Sequence, residues 1–240
     1  MNPLWSSRRT FCALSAALLP GTGRSRGKPT FVLHTFGDSI LDCGHYNERG
    51  IHPGLLLVRN DNALFPEFKG RDLASHGPAR LAHHAVDGAT VEGLAAQARG
   101  LRSDSGPSVA LLTVGGNDLL RGLAADHGPG VRAFEVQLEQ FLRQLPIRPV
   151  LMGTVYDPTF GDDSRNFLGV DPRIARSNLG RVNDVIAKLA SRYGEPIDLH
   201  AHFLRGDPSW FTHTIEPSLR GASEVRRAFL PKVLALQAGS

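Results

Sequence analysis

The chain has 240 residues, which is enough to bury a sizeable hydrophobic core and is typical of one domain. Apolar residues make up 41% of it and charged residues 21%, as in soluble globular proteins. The net charge is +4, but residues 1–28 alone carry +5, so the remainder carries −1. Without a basic stripe or a patch of basic and aromatic residues, the sequence does not support nucleic-acid binding.

The N-terminal segment resembles a bacterial twin-arginine export signal. Arg8 and Arg9 precede a short apolar stretch, residues 12–19, which is too short to span a bilayer. The basic residues after this stretch and the lack of a clear cleavage site argue against such a signal, and a disordered or wrongly assigned extension is the alternative. Residues 1–28 are therefore interpreted as a leader or an extension, and both an exported and a cytoplasmic protein stay open. Residues 29–240 are interpreted as a single domain.

Apolar runs alternate with amphipathic segments along this domain, a pattern typical of a parallel sheet with helices on both faces. Strands are predicted at residues 31–36, in a short segment that ends near residue 86, and at residues 109–114, 150–155 and 197–199. Helices are predicted at residues 91–101, 131–145, 172–193 and 222–236. Residues 42–72 are rich in Gly, Pro and Asn and are predicted to form a long loop, and such loops are usually functional.

Three turns that follow predicted strands carry polar or glycine residues in a recognisable order. Gly37-Asp38-Ser39-Ile40 follows the first strand, Gly88 follows the second, and Gly115-Gly116-Asn117-Asp118 follows the third. Each alone is compatible with an ordinary turn. Together they resemble the first three motif blocks of the SGNH hydrolases, the GDSL esterase and lipase family. The resemblance implies a flavodoxin-like α/β/α sandwich with a central parallel sheet of about five strands.

The same resemblance implies a serine hydrolase that cleaves carboxylic esters through an acyl-enzyme. Ser39 would be the nucleophile, and the N–H groups of Ser39 and Gly88 with the side-chain amide of Asn117 would form the oxyanion hole. Asp38 is expected to brace the nucleophile turn. The implied partner is a small-molecule ester, either an acyl ester or an acetylated carbohydrate. No metal, organic cofactor or membrane span is implied, and the oligomeric state cannot be read from the sequence.

The fourth motif block departs from the family pattern, in which an Asp-x-x-His-Pro segment is followed by a glycine. Pro217 and Gly221 keep the family spacing, but Glu216 stands at the histidine position and His213 at the aspartate position. Three explanations stay open. His213 is the base with Glu216 behind it, or Glu216 is itself the base with a raised pKa, or the protein is a catalytically silent ligand-binding member of the fold. The first is the expectation.

Other side chains could also serve the site. His200 and His202 are predicted to share one face of the last strand near the crevice. Since no third ligand is spaced to join them, a metal site is not favoured. His45, near the nucleophile turn, is a minor alternative base. Trp210 and Phe211 could form the wall of an acyl or sugar pocket, or could pack the loop before His213.

Overall fold

A five-stranded parallel sheet forms the centre of the protein. The computed structural model describes residues 28–240, so the leader interpretation of the N-terminal segment lies outside the described residues. The strands are β1 Phe31–Gly37, β2 Ala79–His83, β3 Ser108–Thr113, β4 Val150–Gly153 and β5 Gly194–Ile197. Their order is β2-β1-β3-β4-β5 with every neighbouring pair parallel. This is the flavodoxin-like order, and it confirms the predicted fold class.

Helices cover both faces of the sheet. They are α1 Pro53–Val58, α2 Leu73–His76, α3 Leu94–Gln97, α4 Gly116–Leu120, α5 Pro129–Gln144, α6 Pro172–Tyr193, α7 Leu199–Phe203 and α8 Leu219–Ala238. Along β3, Ala110 and Leu112 belong to the apolar cluster under α5 and α6. Val109 and Leu111 belong to the opposite cluster, with α1 and α8. Alternate residues of a strand point to opposite faces, so the sheet is buried on both sides.

The predicted loop at residues 42–72 is more regular than expected, because its apolar patch forms helix α1 against the sheet. The buried Arg226 of α8 holds the later part of this segment, near Asn60 and Phe68. The guanidinium carbon lies 3.4 Å from the centre of the Phe68 ring, and Nη1 donates a hydrogen bond of 2.9 Å to Asn60 Oδ1. This part of the chain is therefore packed into the domain.

Residues 199–203 form helix α7, so the prediction that His200 and His202 share a strand face is wrong. The side chain of Asp198 accepts a hydrogen bond of 2.9 Å from the Ala201 N–H and thereby caps the helix. Strand β5 lies earlier than predicted, at Gly194–Ile197, because α6 leads directly into it. Within the described residues, no helix is both long and apolar enough to cross a membrane.

Candidate active site

Ser39 lies in the turn that directly follows β1, at the carboxyl edge of the sheet, where α/β folds form their ligand crevices. Its side chain is nearly buried, with 7% of the residue exposed. The preceding Asp38 accepts hydrogen bonds at Oδ1 from the Ile40 N–H (3.2 Å) and from the Thr113 hydroxyl of β3 (2.8 Å). Burial raises the pKa of Asp38 to about 7, and these hydrogen bonds oppose the shift. Strand β3 thus fixes the turn that carries Ser39.

Strands β1 and β3 approach each other closely at Gly37, just before this turn. Its φ is +116°, and a Cβ there would lie 1.7 Å from the Thr113 carbonyl oxygen, so only glycine fits. The side-chain amide of Gln97 accepts a hydrogen bond from the Gly37 N–H (2.7 Å) and donates one to its carbonyl (2.8 Å). Sequence reasoning missed Gln97, since nothing in the pattern links residues sixty positions apart.

Gly88 and Asn117 follow two other strands of the sheet. A Cβ on Gly88 would meet only Arg121 Nη2, at 4.0 Å, so a substrate can approach its backbone. Asn117 donates one amide hydrogen to the Ala89 carbonyl (3.1 Å) and keeps its second uncommitted. Among residues 28–240, no acceptor takes a hydrogen bond from the backbone N–H of Ser39 or Gly88. Three uncommitted donors are therefore available at this edge.

The loop that carries Gly88 is tied to the turn that carries Asn117. Both carboxylate oxygens of Asp118 lie 3.2 Å from the Val91 N–H, and Arg121 donates a hydrogen bond of 3.0 Å to the Gly88 carbonyl. Burial raises the pKa of Asp118. These contacts keep the two predicted oxyanion donors in one rigid arrangement.

The fourth motif block forms a hairpin outside the main sheet. Its strands are β6 Phe211–Thr212 and β7 Glu216–Pro217, which pair antiparallel. His213 lies in the connection with a φ of +46° and is exposed. Glu216 lies in the returning strand and is only 9% exposed. The hairpin thus separates the two residues of the inverted pair, one at its tip and one inside.

Glu216 lies next to Ser39. Burial raises the pKa of Glu216, and the neighbouring Ser39 hydroxyl opposes part of this shift. The Asp87 carboxylate raises this pKa further, whereas a positive charge on His45 or His213 would lower it. The buried Oε2 of Glu216 has no hydrogen-bond partner in the part of the chain that the structure describes. A carboxylate with a free buried oxygen beside a serine can accept a proton.

Tyr46 and Asp87 organise the more exposed side of the site. The Tyr46 hydroxyl donates a hydrogen bond of 2.8 Å to Asp87 Oδ2, and His45 Nε2 lies 3.1 Å from the same oxygen. The Tyr46 ring centre lies 4.0 Å from that of His45 and 5.5 Å from that of His213. The sequence analysis did not select Tyr46 or Asp87. Asp87 directly precedes Gly88, so its position in the turn after the second predicted strand could have indicated it.

The remaining candidates, His202, Trp210 and Phe211, pack against one another or against neighbouring helices. His202 Nε2 is 3.1 Å from Glu224 Oε2, a contact to α8. Trp210 packs against the rings of His202 and Phe203, and Phe211 also packs on Phe203, so both stabilise the loop. Across residues 28–240, no group of three or more His, Cys, Asp or Glu side chains is arranged to hold a metal ion.

A pocket of about 110 Å³ opens beside Ser39. Ser39 and Asn117 form one end of it, together with Asp38 and Gly116. The wall away from this end comes from α4, the segment after β4, and α6. Trp210 and Phe211 do not line the pocket, and the hairpin contributes Ile215 to its wall instead.

Solved structures share this fold. An α/β hydrolase enzyme from the metagenome of Lake Arreo, Spain, matches with a TM-score of 0.60 and 22% identity, over 88% of this chain and 97% of its own. Axe2, an acetylxylan esterase from Geobacillus stearothermophilus, matches with a TM-score of 0.58 and 20% identity, over 86% of this chain and 95% of its own. The acetyl xylan esterase AlAXEase matches with a TM-score of 0.58 and 20% identity, over 84% of this chain and 99% of its own. No curated protein sequence matches the chain.

A sequence model of the GDSL-like lipase/acylhydrolase family matches residues 35–222. This range is well over half of the chain and includes all the turns and the hairpin described above. It confirms the family resemblance of the motif blocks and supports an ester hydrolase. The chain belongs to the GDSL-like lipase/acylhydrolase family.

Proposed function

We propose that the protein hydrolyses carboxylic esters through an acyl-enzyme formed on Ser39. Family membership supports ester hydrolysis. The observation that carries the mechanism is the Ser39 hydroxyl beside a buried carboxylate with a free oxygen, at an edge with three uncommitted N–H donors. Acyl transfer requires these three components: a nucleophile, a proton acceptor and donors for the developing oxyanion.

In the first half-reaction, Ser39 Oγ forms a bond to the ester carbonyl carbon while its proton passes to the Glu216 carboxylate. The N–H groups of Ser39 and Gly88 and the amide of Asn117 stabilise the negative oxygen of the tetrahedral intermediate. The bond to the alkoxy group then breaks, and the leaving oxygen takes the proton from Glu216. Water repeats these steps at the acyl carbon, which releases the carboxylic acid and restores Ser39.

We assign the proton to Glu216 rather than to His213, the base expected from the sequence. Glu216 is buried next to Ser39, whereas His213 is exposed at the hairpin tip. A raised pKa makes a carboxylate a stronger base, and general-base catalysis is most efficient when that pKa approaches the working pH.

Covalent labelling by a fluorophosphonate tests this proposal, because only an activated serine reacts rapidly. We expect wild-type protein to be labelled and to hydrolyse p-nitrophenyl esters, and Ser39→Ala to lose both properties. Ser191→Ala, at an exposed position of α6, is the matched control. Asn117→Ala should lower kcat by roughly a hundredfold with little change in KM, because the donor acts mainly in the transition state. Unchanged hydrolysis by Ser39→Ala would remove Ser39 from the mechanism.

The second candidate function is ligand binding without catalysis. The observation that favours it is the carboxylate at residue 216, where the family pattern has an imidazole. This candidate predicts that purified protein binds an ester without consuming it and does not react with the fluorophosphonate. The labelling experiment therefore separates the two functions directly.

A further inference from the structure

We propose that the apolar pocket beside Ser39 binds the acyl chain of the substrate and selects straight chains of about four to six carbons over acetyl. This inference rests on the proposed role of Ser39 and names the substrate class for that site. The solved structures described above include acetylxylan esterases, so the preference would separate this chain from them.

The position of the pocket determines which part of the substrate enters it. Ser39 and Asn117 lie at one end, where the carbonyl carbon and its oxygen must be during the reaction. The groups beyond this end are mostly aliphatic and aromatic side chains, among them Ile40, Leu119, Val155, Leu168, Ala175 and Leu179. An acyl chain attached to Ser39 therefore extends along an apolar wall.

Exposed side chains that line the pocket include two large apolar ones. Leu120 and Phe167 each line it and are each 42% exposed, although large apolar side chains usually lose water contact on folding. Both lie in segments that border the pocket, α4 and the residues between β4 and α6. Exposed apolar side chains around a pocket are typical of a surface that binds an apolar ligand.

Four polar residues that line the pocket form hydrogen bonds and ion pairs with one another: Asp157, Thr159, Asp163 and Arg176. Asp157 accepts hydrogen bonds at Oδ1 from the Thr159 N–H (2.9 Å) and hydroxyl (2.6 Å), and its Oδ2 lies 3.1 Å from Arg176 Nη1. Arg176 also pairs with Asp163. Burial alone would raise the pKa of Asp157. The hydrogen bonds and the charge of Arg176 outweigh it and hold this pKa below its usual range. Groups that already satisfy each other gain little by binding sugar hydroxyls, so apolar contact is the main attraction that the pocket offers.

The size of the pocket sets the chain length. An engineered apolar protein cavity of about 150 Å³ binds benzene, a molecule of six carbons. The volume of about 110 Å³ in this pocket therefore suits a chain of four to six carbons. An acetyl group would fill only the part nearest to Ser39 and would leave the aliphatic wall without contacts.

A series of p-nitrophenyl esters from acetate to decanoate tests the preference on wild-type protein. Each buried methylene should raise kcat/KM about threefold to fourfold, so hexanoate, with four more methylenes, should exceed acetate by about 80-fold or more. Beyond hexanoate the gain should stop, because further carbons reach solvent. A flat series, or acetate as the best substrate, would overturn the inference.

Two variants of α6 change the pocket in opposite directions. Ala175→Leu adds three carbons to the wall and should lower kcat/KM at least tenfold more for hexanoate than for acetate. Ala187→Leu, the same change on the same helix outside the pocket, should leave the hexanoate-to-acetate ratio as in wild type. Leu179→Ala enlarges the pocket and should shift the best substrate toward octanoate. An unchanged ratio in both pocket variants would contradict the acyl pocket.

Binding of the product distinguishes failure of the inference from failure of the proposed function. Hexanoate should give a saturation-transfer NMR signal with wild type and with Ser39→Ala, and should lose it with Ala175→Leu. If hexanoate binds in this way but no ester is hydrolysed, the pocket stands and the serine mechanism falls. If Ser39-dependent hydrolysis is found with a flat chain-length series, the mechanism stands and the acyl pocket falls. Absence of both binding and hydrolysis overturns both.

Discussion

The proton acceptor beside Ser39 determines the pH at which the proposed reaction can run. An ordinary histidine has a pKa near 6.5 and an ordinary glutamate one near 4.3. When the pH is lowered, an enzyme with a histidine base therefore loses activity at a higher pH than an enzyme with a glutamate base. Burial raises the pKa of Glu216, which moves its activity limit upward from the ordinary glutamate value. If Glu216 is the base, as proposed, the acid limit of the reaction should therefore differ from that of a hydrolase with a histidine base.

Substitutions at the inverted pair test this assignment. Glu216→Gln should lower kcat nearly as far as Ser39→Ala, because nucleophile and base act as a unit. His213→Gln should lower it by less than about tenfold, since His213 is exposed at the hairpin tip and does not take the proton. Glu216→His should move the acid limb of the kcat profile toward the histidine range, near pH 6.5. Measurement of kcat from acidic to neutral pH gives the result, and a larger loss in His213→Gln would make His213 the base.

At the residue scale, the sequence could predict part of the site and not the rest. Ser39, Gly88 and Asn117 each follow a strand, and parallel strands bring their carboxyl ends to one edge, so their proximity could be predicted. Which of His213 and Glu216 lies next to Ser39 could not be predicted, because that depends on the hairpin that holds them. The strands of that hairpin have two residues each, too few for a periodic pattern to be visible.

At the scale of elements, local signals predicted the long helices well. Helix α6 runs over Pro172–Tyr193 as predicted, because a proline at its first turn and Gly194 after its end mark both boundaries. Helix α7 was missed because five residues carry no helical period, and its start depends on the capping side chain of Asp198. Short elements formed by long-range packing, such as α1, leave no comparable signal in the sequence.

The close contact between β1 and β3 at Gly37 should dominate the stability of the nucleophile turn. Gly37→Ala combines a left-handed backbone with a Cβ 1.7 Å from the Thr113 carbonyl oxygen. It should lower the free energy of unfolding by about 3 kcal/mol or more. Gly100→Ala is the matched control, because its φ of +77° is also positive but its Cβ would meet no atom within 4 Å. That variant should lose about 1 kcal/mol.

Chemical denaturation of both glycine variants measures this difference. Equal losses would mean that the backbone angle alone accounts for the effect and that β3 can move away from β1. The expected inequality would show that the sheet holds the turn before Ser39 rigidly, as a preorganised site requires.

At the scale of the whole molecule, buried groups with opposite pH responses flatten the stability profile. Burial, together with the charge of His83, lowers the pKa of His52 from 6.5 to about 4. Its contribution to stability is present above pH 6.5 and is lost as the pH falls to about 4. Burial raises the pKa of Asp38 from 3.8 to about 7, so its contribution is present below pH 3.8 and is lost as the pH rises to about 7. The two contributions oppose each other between these limits.

Two substitutions separate these contributions. In His52→Gln the acid-induced loss from residue 52 disappears, so the stability of wild type relative to this variant should fall as the pH is lowered from 6.5 to about 4. In Asp38→Asn the cost of ionising the buried carboxyl disappears, so the stability of wild type relative to this variant should fall as the pH is raised from 3.8 to about 7. Denaturant titrations across this range measure both differences. His127→Gln and Asp184→Asn, at exposed positions, are the controls. If the buried and exposed variants show parallel profiles, burial does not control these two titrations. Profiles of opposite slope would show that burial of His52 lowers stability as the pH falls and that burial of Asp38 lowers it as the pH rises toward 7.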